Sequence, residues 1–176
     1  EPDDCAPSKT ALLFPMAEEA TAYLSYTSRL MAEMAAHCGK KDAVARYEQT
    51  AENTQKAYNH YFVGDGMFET KRMCKYVRPV GLDLCSGAVR ENLLRQIVKL
   101  NQKRNYRVGT GILTTPFLFE ALSEAGAGED AYKTLTNPNF GWAQQIKQGA
   151  TTVWENWTDD ASLNHYSKGA CCQWLG

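Results

Sequence analysis

The segment GATTVWENWTDDASLNHYSKG, residues 149–169, contains the side chains best suited to chemistry. A carboxylate, Glu155, lies between Trp154 and Trp157, and further polar residues follow about ten positions later. Burying a carboxylate beside two indoles is costly unless it is hydrogen-bonded or paired, so a purely structural glutamate is an unusual choice here. Apolar walls favour its neutral acid, whereas nearby donors favour its anion. The residue types therefore allow Glu155 to act as a general acid or as a general base.

A polar trio, Asn164, His165 and Tyr166, follows this carboxylate at the predicted start of a helix. Its donors and acceptors are of the kind that bind the hydroxyl groups of a sugar ring. His165 has two further interpretations, as a base and as a core histidine with satisfied ring nitrogens. If Asp159 and Asp160 fold back towards Glu155, their like charges favour its neutral form.

All four tryptophans lie in the last 35 residues, and three of them, Trp142, Trp154 and Trp157, belong to one loop region. The flat apolar face of an indole stacks on the C–H face of a sugar, while its N–H stays available as a donor. This concentration indicates a carbohydrate site. The alternative is that the tryptophans pack one end of the domain.

Helical periodicity runs along most of the chain and predicts an all-α fold. Residues 16–38 form the first predicted helix, which ends at Gly39, and residues 41–62 form the second helix of an antiparallel hairpin. Further helices are predicted over residues 74–84, 88–103, 113–125, 130–135 and 162–175, with an irregular loop over residues 137–161. Pro79 and Pro116 complicate two of these helices. In the first helix, apolar and small residues recur at helical spacing at Ala20, Tyr23, Leu24, Thr27, Leu30, Met31, Met34 and Ala35.

Successive helical hairpins form either an open solenoid or a closed toroid of inner and outer helices. A tetratricopeptide-like solenoid repeats about every 34 residues, and no set of marker residues recurs at a fixed interval in this sequence. The loop over residues 137–161 also fits a solenoid badly, because long irregular loops in compact domains are usually functional.

The segments GATTVWENW and SLNHYSKGACCQWL resemble the bacterial α-L-rhamnosidases, which are inverting glycoside hydrolases with an (α/α)6 toroid as catalytic domain. The likeness extends to residues 110–135 and, more loosely, to residues 21–52. It implies that Glu155, in the Trp-Glu-x-Trp motif, is the general base that activates the attacking water. It also implies that His165, in the Asn-His-Tyr motif, touches bound rhamnose. Trp142, in NFGWAQQ, looks like the family's aromatic residue just before the base loop, and the expected substrate-binding set is His165, Asn164, Trp142, Trp154 and Trp157.

The resemblance also shows a departure from the family pattern. Inverting hydrolysis needs two carboxyl groups about 6.5–9.5 Å apart on opposite sides of the scissile bond. The family's general acid lies in an earlier part of the catalytic domain, and no equivalent segment is found here, since nothing around Asp3 or Asp4 marks an acid. The seven predicted helices are little more than half of an (α/α)6 ring. We therefore expect residues 1–176 to form one helical domain, the C-terminal half of a larger catalytic toroid, which does not turn over substrate by itself.

The expected function is hydrolysis of terminal α-L-rhamnosyl residues from glycosides or polysaccharides, with no metal or organic cofactor. This chain is expected to carry the general base and part of the sugar site. Its expected partners are the carbohydrate substrate and the remainder of the catalytic domain, with self-association through an exposed apolar seam as a further expectation. Two alternatives stay open: a non-catalytic carbohydrate-binding or scaffold helical protein, and an (α/α)6 glycosidase for another sugar, because fold does not fix function.

Composition limits the other partners. The net charge is -1, 22% of residues are charged, and lysine and arginine are scattered, which argues against nucleic acid or an anionic membrane surface. No apolar run approaches the roughly 18 residues that cross a bilayer, and the compartment stays open between cytoplasm and periplasm or exterior. The six cysteines show no C-x-x-C metal pattern and are expected to be buried or half-buried thiols. They are Cys5, Cys38, Cys74, Cys85, Cys171 and Cys172.

Overall fold

The structure is a computed structural model that describes residues 16–158 and 161–176. Within these residues it contains eight α-helices and no strand, which confirms the predicted all-α class. A π-helical turn, Asn59–Val63, continues the second helix, and a 3₁₀ helix, Tyr166–Ala170, leads into the last one. The helices are α1 (Ala17–His37), α2 (Lys41–Tyr58), α3 (Cys74–Gly81), α4 (Gly87–Lys103), α5 (Thr115–Glu124), α6 (Gly128–Leu135), α7 (Trp142–Lys147) and α8 (Cys171–Leu175).

The predictions for the C-terminal region are wrong in two places. Residues 162–175 do not form one helix, because helical structure begins only at Tyr166, first as 3₁₀ and then as α8. The stretch predicted as an irregular loop contains α7, which follows Gly141 at φ 97°. With 3.6 residues per turn, the six residues of α7 make fewer than two turns. A helix that short shows no periodicity in the sequence.

The hydrophobic core lies around α3, α4 and α5, and the other elements pack against it. α5 contacts α3, α4, α6 and the C-terminal 3₁₀ and α8 segments. Pro116 lies in the first turn of α5, where its missing N–H costs no hydrogen bond. Pro79 lies near the end of α3. The larger apolar side chains with no exposed surface are Met73, Val77, Leu82, Leu84, Leu93, Ile97, Leu118, Phe119 and Leu122.

The face that α1 buries is not the one on which its larger apolar residues recur. Of the eight apolar and small residues noted in the sequence, only Ala35 is buried. The helix instead packs on α2 through small side chains, and Ser25 Oγ donates a hydrogen bond of 3.0 Å to the Ala51 carbonyl oxygen. Small residues allow two helix backbones to approach closely. The buried positions of α1 are Ala22, Ser25, Ser28, Ala32 and Ala35.

The larger apolar residues of α1 form an exposed stripe. Leu24, Leu30, Met31 and Met34 are exposed to 49%, 38%, 39% and 61%. Leu24 and Met31 are seven positions apart, the spacing of residues along one side of a helix that packs against another helix. We call these four residues the α1 stripe. That another helix covers these residues stays a prediction.

A buried arginine joins the first hairpin to α3. Arg78 is 3% exposed, its Nη2 lies 2.7 Å from Glu19 Oε2, and its Nη1 contacts the Glu18 carboxylate. The Tyr58 hydroxyl donates to Glu18 Oε1 at 2.6 Å. Burial, together with the charge of Glu18, raises the pKa of Tyr58, so the phenol stays a neutral donor. Both acidic residues lie in the first turn of α1, where negative charge is favourable.

The five cysteines among the described residues form no disulfide bond. Cys74, Cys85 and Cys171 are buried as predicted, whereas the prediction is wrong for Cys38 and Cys172, which are exposed. Burial raises the pKa of Cys85 to about 11 and that of Cys171 to about 12. Cys5 lies outside the described residues. Of the described helices, none is both long enough and apolar enough to span a bilayer.

Candidate active site

The two motifs identified in the sequence lie side by side. The Glu155 N–H donates to the Ser162 carbonyl oxygen at 2.8 Å, and the His165 N–H donates to the Val153 carbonyl oxygen at 2.7 Å. Thr152 Oγ1 also donates to the Leu163 carbonyl oxygen. We call residues 149–158 with 161–165 the Glu155 loop. Its two halves run antiparallel, so the Trp-Glu-x-Trp and Asn-His-Tyr motifs are held together by backbone hydrogen bonds.

The carboxylate and its neighbouring indoles have different environments. Glu155 is half-buried, whereas Trp154 and Trp157 are only 7% and 6% exposed. The indoles therefore anchor the loop in the protein interior, and Glu155 between them keeps partial access to solvent. Asp159 and Asp160, whose charges would favour the neutral form of Glu155 if they folded back towards it, lie outside the described residues, as do Asp3 and Asp4.

An aromatic cluster connects the Glu155 loop to α5. The Trp157 ring lies 5.9 Å from Phe140 and 4.8 Å from Trp142, the latter edge to face at 78°. Trp142 in turn lies 5.5 Å from Phe119 of α5, and its Nε1 donates to the Lys168 carbonyl oxygen at 3.0 Å. Packing of one end of the domain thus accounts for these rings. Stacking of Trp142, Trp154 or Trp157 on a sugar stays a prediction.

A buried lysine covers one face of Trp157. Lys168 is 1% exposed, and its Nζ lies 4.0 Å from the centroid of the Trp157 ring. Fully buried lysines are rare in proteins. Sequence reasoning missed Lys168, because a single lysine after the Asn-His-Tyr motif gives no indication that its side chain is buried.

The Asn-His-Tyr side chains lie at the surface. His165 is half-buried, Asn164 is exposed, and Tyr166 is 86% exposed. The His165 and Tyr166 rings are nearly parallel, with centroids 5.5 Å apart and an interplanar angle of 6°. His165 Nδ1 accepts the Ser167 N–H at 3.4 Å, so the neutral ring carries its proton on Nε2. That tautomer makes Nε2 the donor of the ring.

α7 and the glycine before it contact the Glu155 loop. Gln145 is 2% exposed, and its Nε2 donates to the carbonyl oxygen of Asn156 at 2.7 Å. Asn156 directly follows Glu155 in the sequence. Gly141, which precedes α7, lies against Val108 and Trp157: a Cβ at this position would be 3.3 Å from Val108 Cγ1. These contacts were not predicted, because a helix as short as α7 shows no periodicity in the sequence.

Four surface cavities in the described part of the chain have volumes between 370 and 660 Å³. None of these four is lined by a residue of the Glu155 loop. A toroid encloses its central funnel with hairpins from all sides, and the helices described here supply only part of such a ring. Among the described residues, no three His, Cys, Asp or Glu side chains are grouped to bind a metal ion.

Packed helical hairpins with a glutamate on a tryptophan-anchored loop are the features of a helical-hairpin glycosidase domain. Residues 16–176 match the family model of the bacterial alpha-L-rhamnosidase 6 hairpin glycosidase domain. The chain therefore belongs to the bacterial α-L-rhamnosidase family. The resemblance read from the sequence is confirmed.

Two curated relatives support this assignment. The alpha-L-rhamnosidases of Formosa agariphila and Streptomyces avermitilis are 32% and 31% identical to this chain. The alignments cover 88% and 89% of this chain but 18% and 16% of those proteins. The chain thus spans less than a fifth of the length of these relatives.

Solved structures show the same fold. A crystal structure of Streptomyces avermitilis alpha-L-rhamnosidase complexed with L-rhamnose has a TM-score of 0.81 and 30% identity, covering 92% of this chain and 17% of that one. Native α-L-rhamnosidase from Aspergillus terreus has a TM-score of 0.78, covering 88% of this chain and 20% of that one. At 23% identity, that second likeness supports the fold alone. The predicted helical-hairpin architecture is confirmed.

Proposed function

We propose that this chain is part of an enzyme that hydrolyses terminal α-L-rhamnosyl residues with inversion, and that Glu155 is its general base. The observation that carries the proposal is the placement of Glu155. Glu155 is half-buried, its backbone is held by the bond to Ser162, and its flanking indoles are buried. A base needs such a fixed position, because proton transfer requires hydrogen-bond reach to the attacking water.

In the proposed reaction the ionised Glu155 carboxylate accepts a proton from water. The water oxygen bonds to the anomeric carbon as the bond from that carbon to the leaving oxygen breaks. A carboxylic acid on the opposite side of the sugar protonates the leaving oxygen. In inverting enzymes this acid and the base are about 6.5–9.5 Å apart. We propose that this acid comes from another part of the whole protein.

We propose that the Asn-His-Tyr motif contributes to the sugar site. The Nε2–H of neutral His165 is a donor suited to a sugar hydroxyl, and the exposed Asn164 amide offers both a donor and an acceptor. Trp142, Trp154 and Trp157 act in this proposal mainly by fixing the loop. Any contact they make with substrate involves the parts of the rings that the cluster leaves uncovered.

We propose that the α1 stripe docks against the remainder of the catalytic domain. Four large apolar side chains along one exposed helix face are the surface that another helix covers in a closed ring. If the isolated chain associates with itself, the same stripe is the expected contact. Sedimentation of the chain with and without Met31→Glu measures that association.

The proposal is tested by assaying the whole protein and this chain separately with an aryl α-L-rhamnoside. We expect the whole protein to release rhamnose whose first-formed anomer, read by proton NMR, is β, because inversion exchanges the configuration. This chain alone is expected to show no turnover. Calorimetric titration with L-rhamnose reports binding independently.

Two outcomes would favour the alternative functions. Rhamnose binding by the whole protein without hydrolysis would indicate a carbohydrate-binding or scaffold protein. Hydrolysis of a different glycoside, with the rhamnoside left intact, would indicate an (α/α)6 glycosidase for another sugar.

A further inference from the structure

Lys168 follows the Asn-His-Tyr motif in the sequence and contacts the Trp-Glu-x-Trp motif in the fold. It lies three positions after His165, and its Nζ lies 4.0 Å from the centroid of Trp157, two positions after Glu155. Its neighbour Gly169 lies against Val153, whose carbonyl oxygen accepts the His165 N–H. Lys168 and Gly169 therefore pack the chain that follows the Asn-His-Tyr motif against the segment of the Trp-Glu-x-Trp motif.

Both ends of this lysine are engaged. Its carbonyl oxygen accepts the Trp142 indole N–H at 3.0 Å, and its ammonium covers the Trp157 ring face. A cation over an indole is attracted by the ring quadrupole, and the attraction grows when water is excluded. At 1% exposure the side chain of Lys168 is withdrawn from water. The contact between the Lys168 ammonium and the Trp157 ring is therefore stronger than the same contact would be at an exposed site.

The geometry of Trp157 determines the backbone that carries Glu155. Phe140 and Trp142 also contact this ring, and the Lys168 ammonium adds a contact over its face. If the ring tilts, the segment that includes Glu155 shifts with it. A displacement of about 1 Å at a reacting group is enough to cost roughly 100-fold in rate.

We propose that Lys168 is a positioning residue, which fixes the Glu155 loop through the Trp157 ring face. The proposal rests on the proposed function only for its effect on rate, because the effect on loop order does not depend on the reaction. No local sequence pattern indicates a role for Lys168. In the fold, its contact with Trp157 allows it to influence the reaction by positioning the loop, although it touches no reacting atom.

The test compares Lys168→Met and Lys168→Arg with a matched control, Lys99→Met, in the whole protein. Methionine keeps an apolar stem of similar length and removes the charge, while arginine keeps a cation that stacks on indoles. Lys99 is an exposed lysine of α4. Three quantities are measured: amide hydrogen exchange of the Glu155 loop, kcat and KM for an aryl α-L-rhamnoside, and the unfolding temperature.

For Lys168→Met we expect exchange at the Glu155 and His165 amides to rise by about tenfold or more, because local opening becomes easier. We expect kcat to fall by about tenfold, with KM changed by less than about threefold, since the misplaced group acts in the transition state. The unfolding temperature is expected to stay within a few degrees of the parent value. Lys168→Arg should restore most of the lost protection and rate, and Lys99→Met should change neither.

Parental exchange and kcat in Lys168→Met would overturn the proposal, and so would a Lys168→Arg variant no better than Lys168→Met. If Lys168→Met does not fold, Trp157→Leu removes the other partner and is expected to give the same local rise in exchange. A parent protein without rhamnosidase activity would refute the proposed function. The exchange measurement would then still decide whether Lys168 positions the loop.

Discussion

Replacing Glu155 with glutamine in the whole protein is expected to lower kcat for an aryl α-L-rhamnoside by about 10²- to 10⁴-fold. Glutamine keeps the shape of the side chain but does not accept a proton from water at neutral pH. The backbone bond from residue 155 to the Ser162 carbonyl oxygen does not depend on the side chain, so the loop should keep its position. Binding of L-rhamnose, measured by calorimetry, is therefore expected to change little.

Two further variants show whether the loss comes from the missing base. Glu129→Gln is the matched control, because Glu129 is 93% exposed and lies on α6. It should keep the parental kcat. Glu155→Ala leaves space for a small anion, and azide needs no deprotonation to attack. Azide is expected to restore turnover in Glu155→Ala and to form the glycosyl azide of inverted configuration. Activity of Glu155→Gln within a few fold of the parent would exclude Glu155 as the base.

The helices were predictable where the periodic pattern extended over several turns. The face that each helix buries was less predictable. α4 begins and ends within one residue of its prediction, since seventeen residues make several turns. α1 was also found, yet its large apolar residues face outward and its small ones face α2. Periodicity shows that a helix has an apolar side. It does not show which neighbour covers that side when the covering helix lies elsewhere in the toroid.

The candidate site was predictable to the same extent. Glu155 and His165 were found because a carboxylate between indoles and a polar trio are unusual local patterns, and the structure brings their segments together. Gln145 and Lys168, which support the loop, were missed. Their roles depend on contacts across the fold, to Asn156 and Trp157 respectively, and a local pattern does not contain such contacts.

The second large effect concerns stability and centres on Arg78. Arg78→Met is expected to lower the free energy of unfolding by about 3–5 kcal/mol, the cost of removing one partner from a buried ion pair. The guanidinium is 3% exposed, and the side chains of Glu18 and Glu19 are 17% and 14% exposed. Without the arginine, two carboxylates in adjacent positions are left mostly buried beside each other. The measurement is urea unfolding at neutral pH, followed by circular dichroism.

A matched pair of variants separates this charge effect from lost packing. Arg95→Met removes an arginine that is 67% exposed and 3.9 Å from Glu91, and surface pairs of this kind contribute at most about 1 kcal/mol. Adding Glu18→Gln and Glu19→Gln to Arg78→Met removes the charges left without a partner. If charge is the cause, the triple variant recovers a large part of the lost stability, because neutral amides cost less to bury than carboxylates. If Arg78→Met and Arg95→Met destabilise equally, or the triple variant recovers nothing, the buried ion pair does not hold the first hairpin to α3.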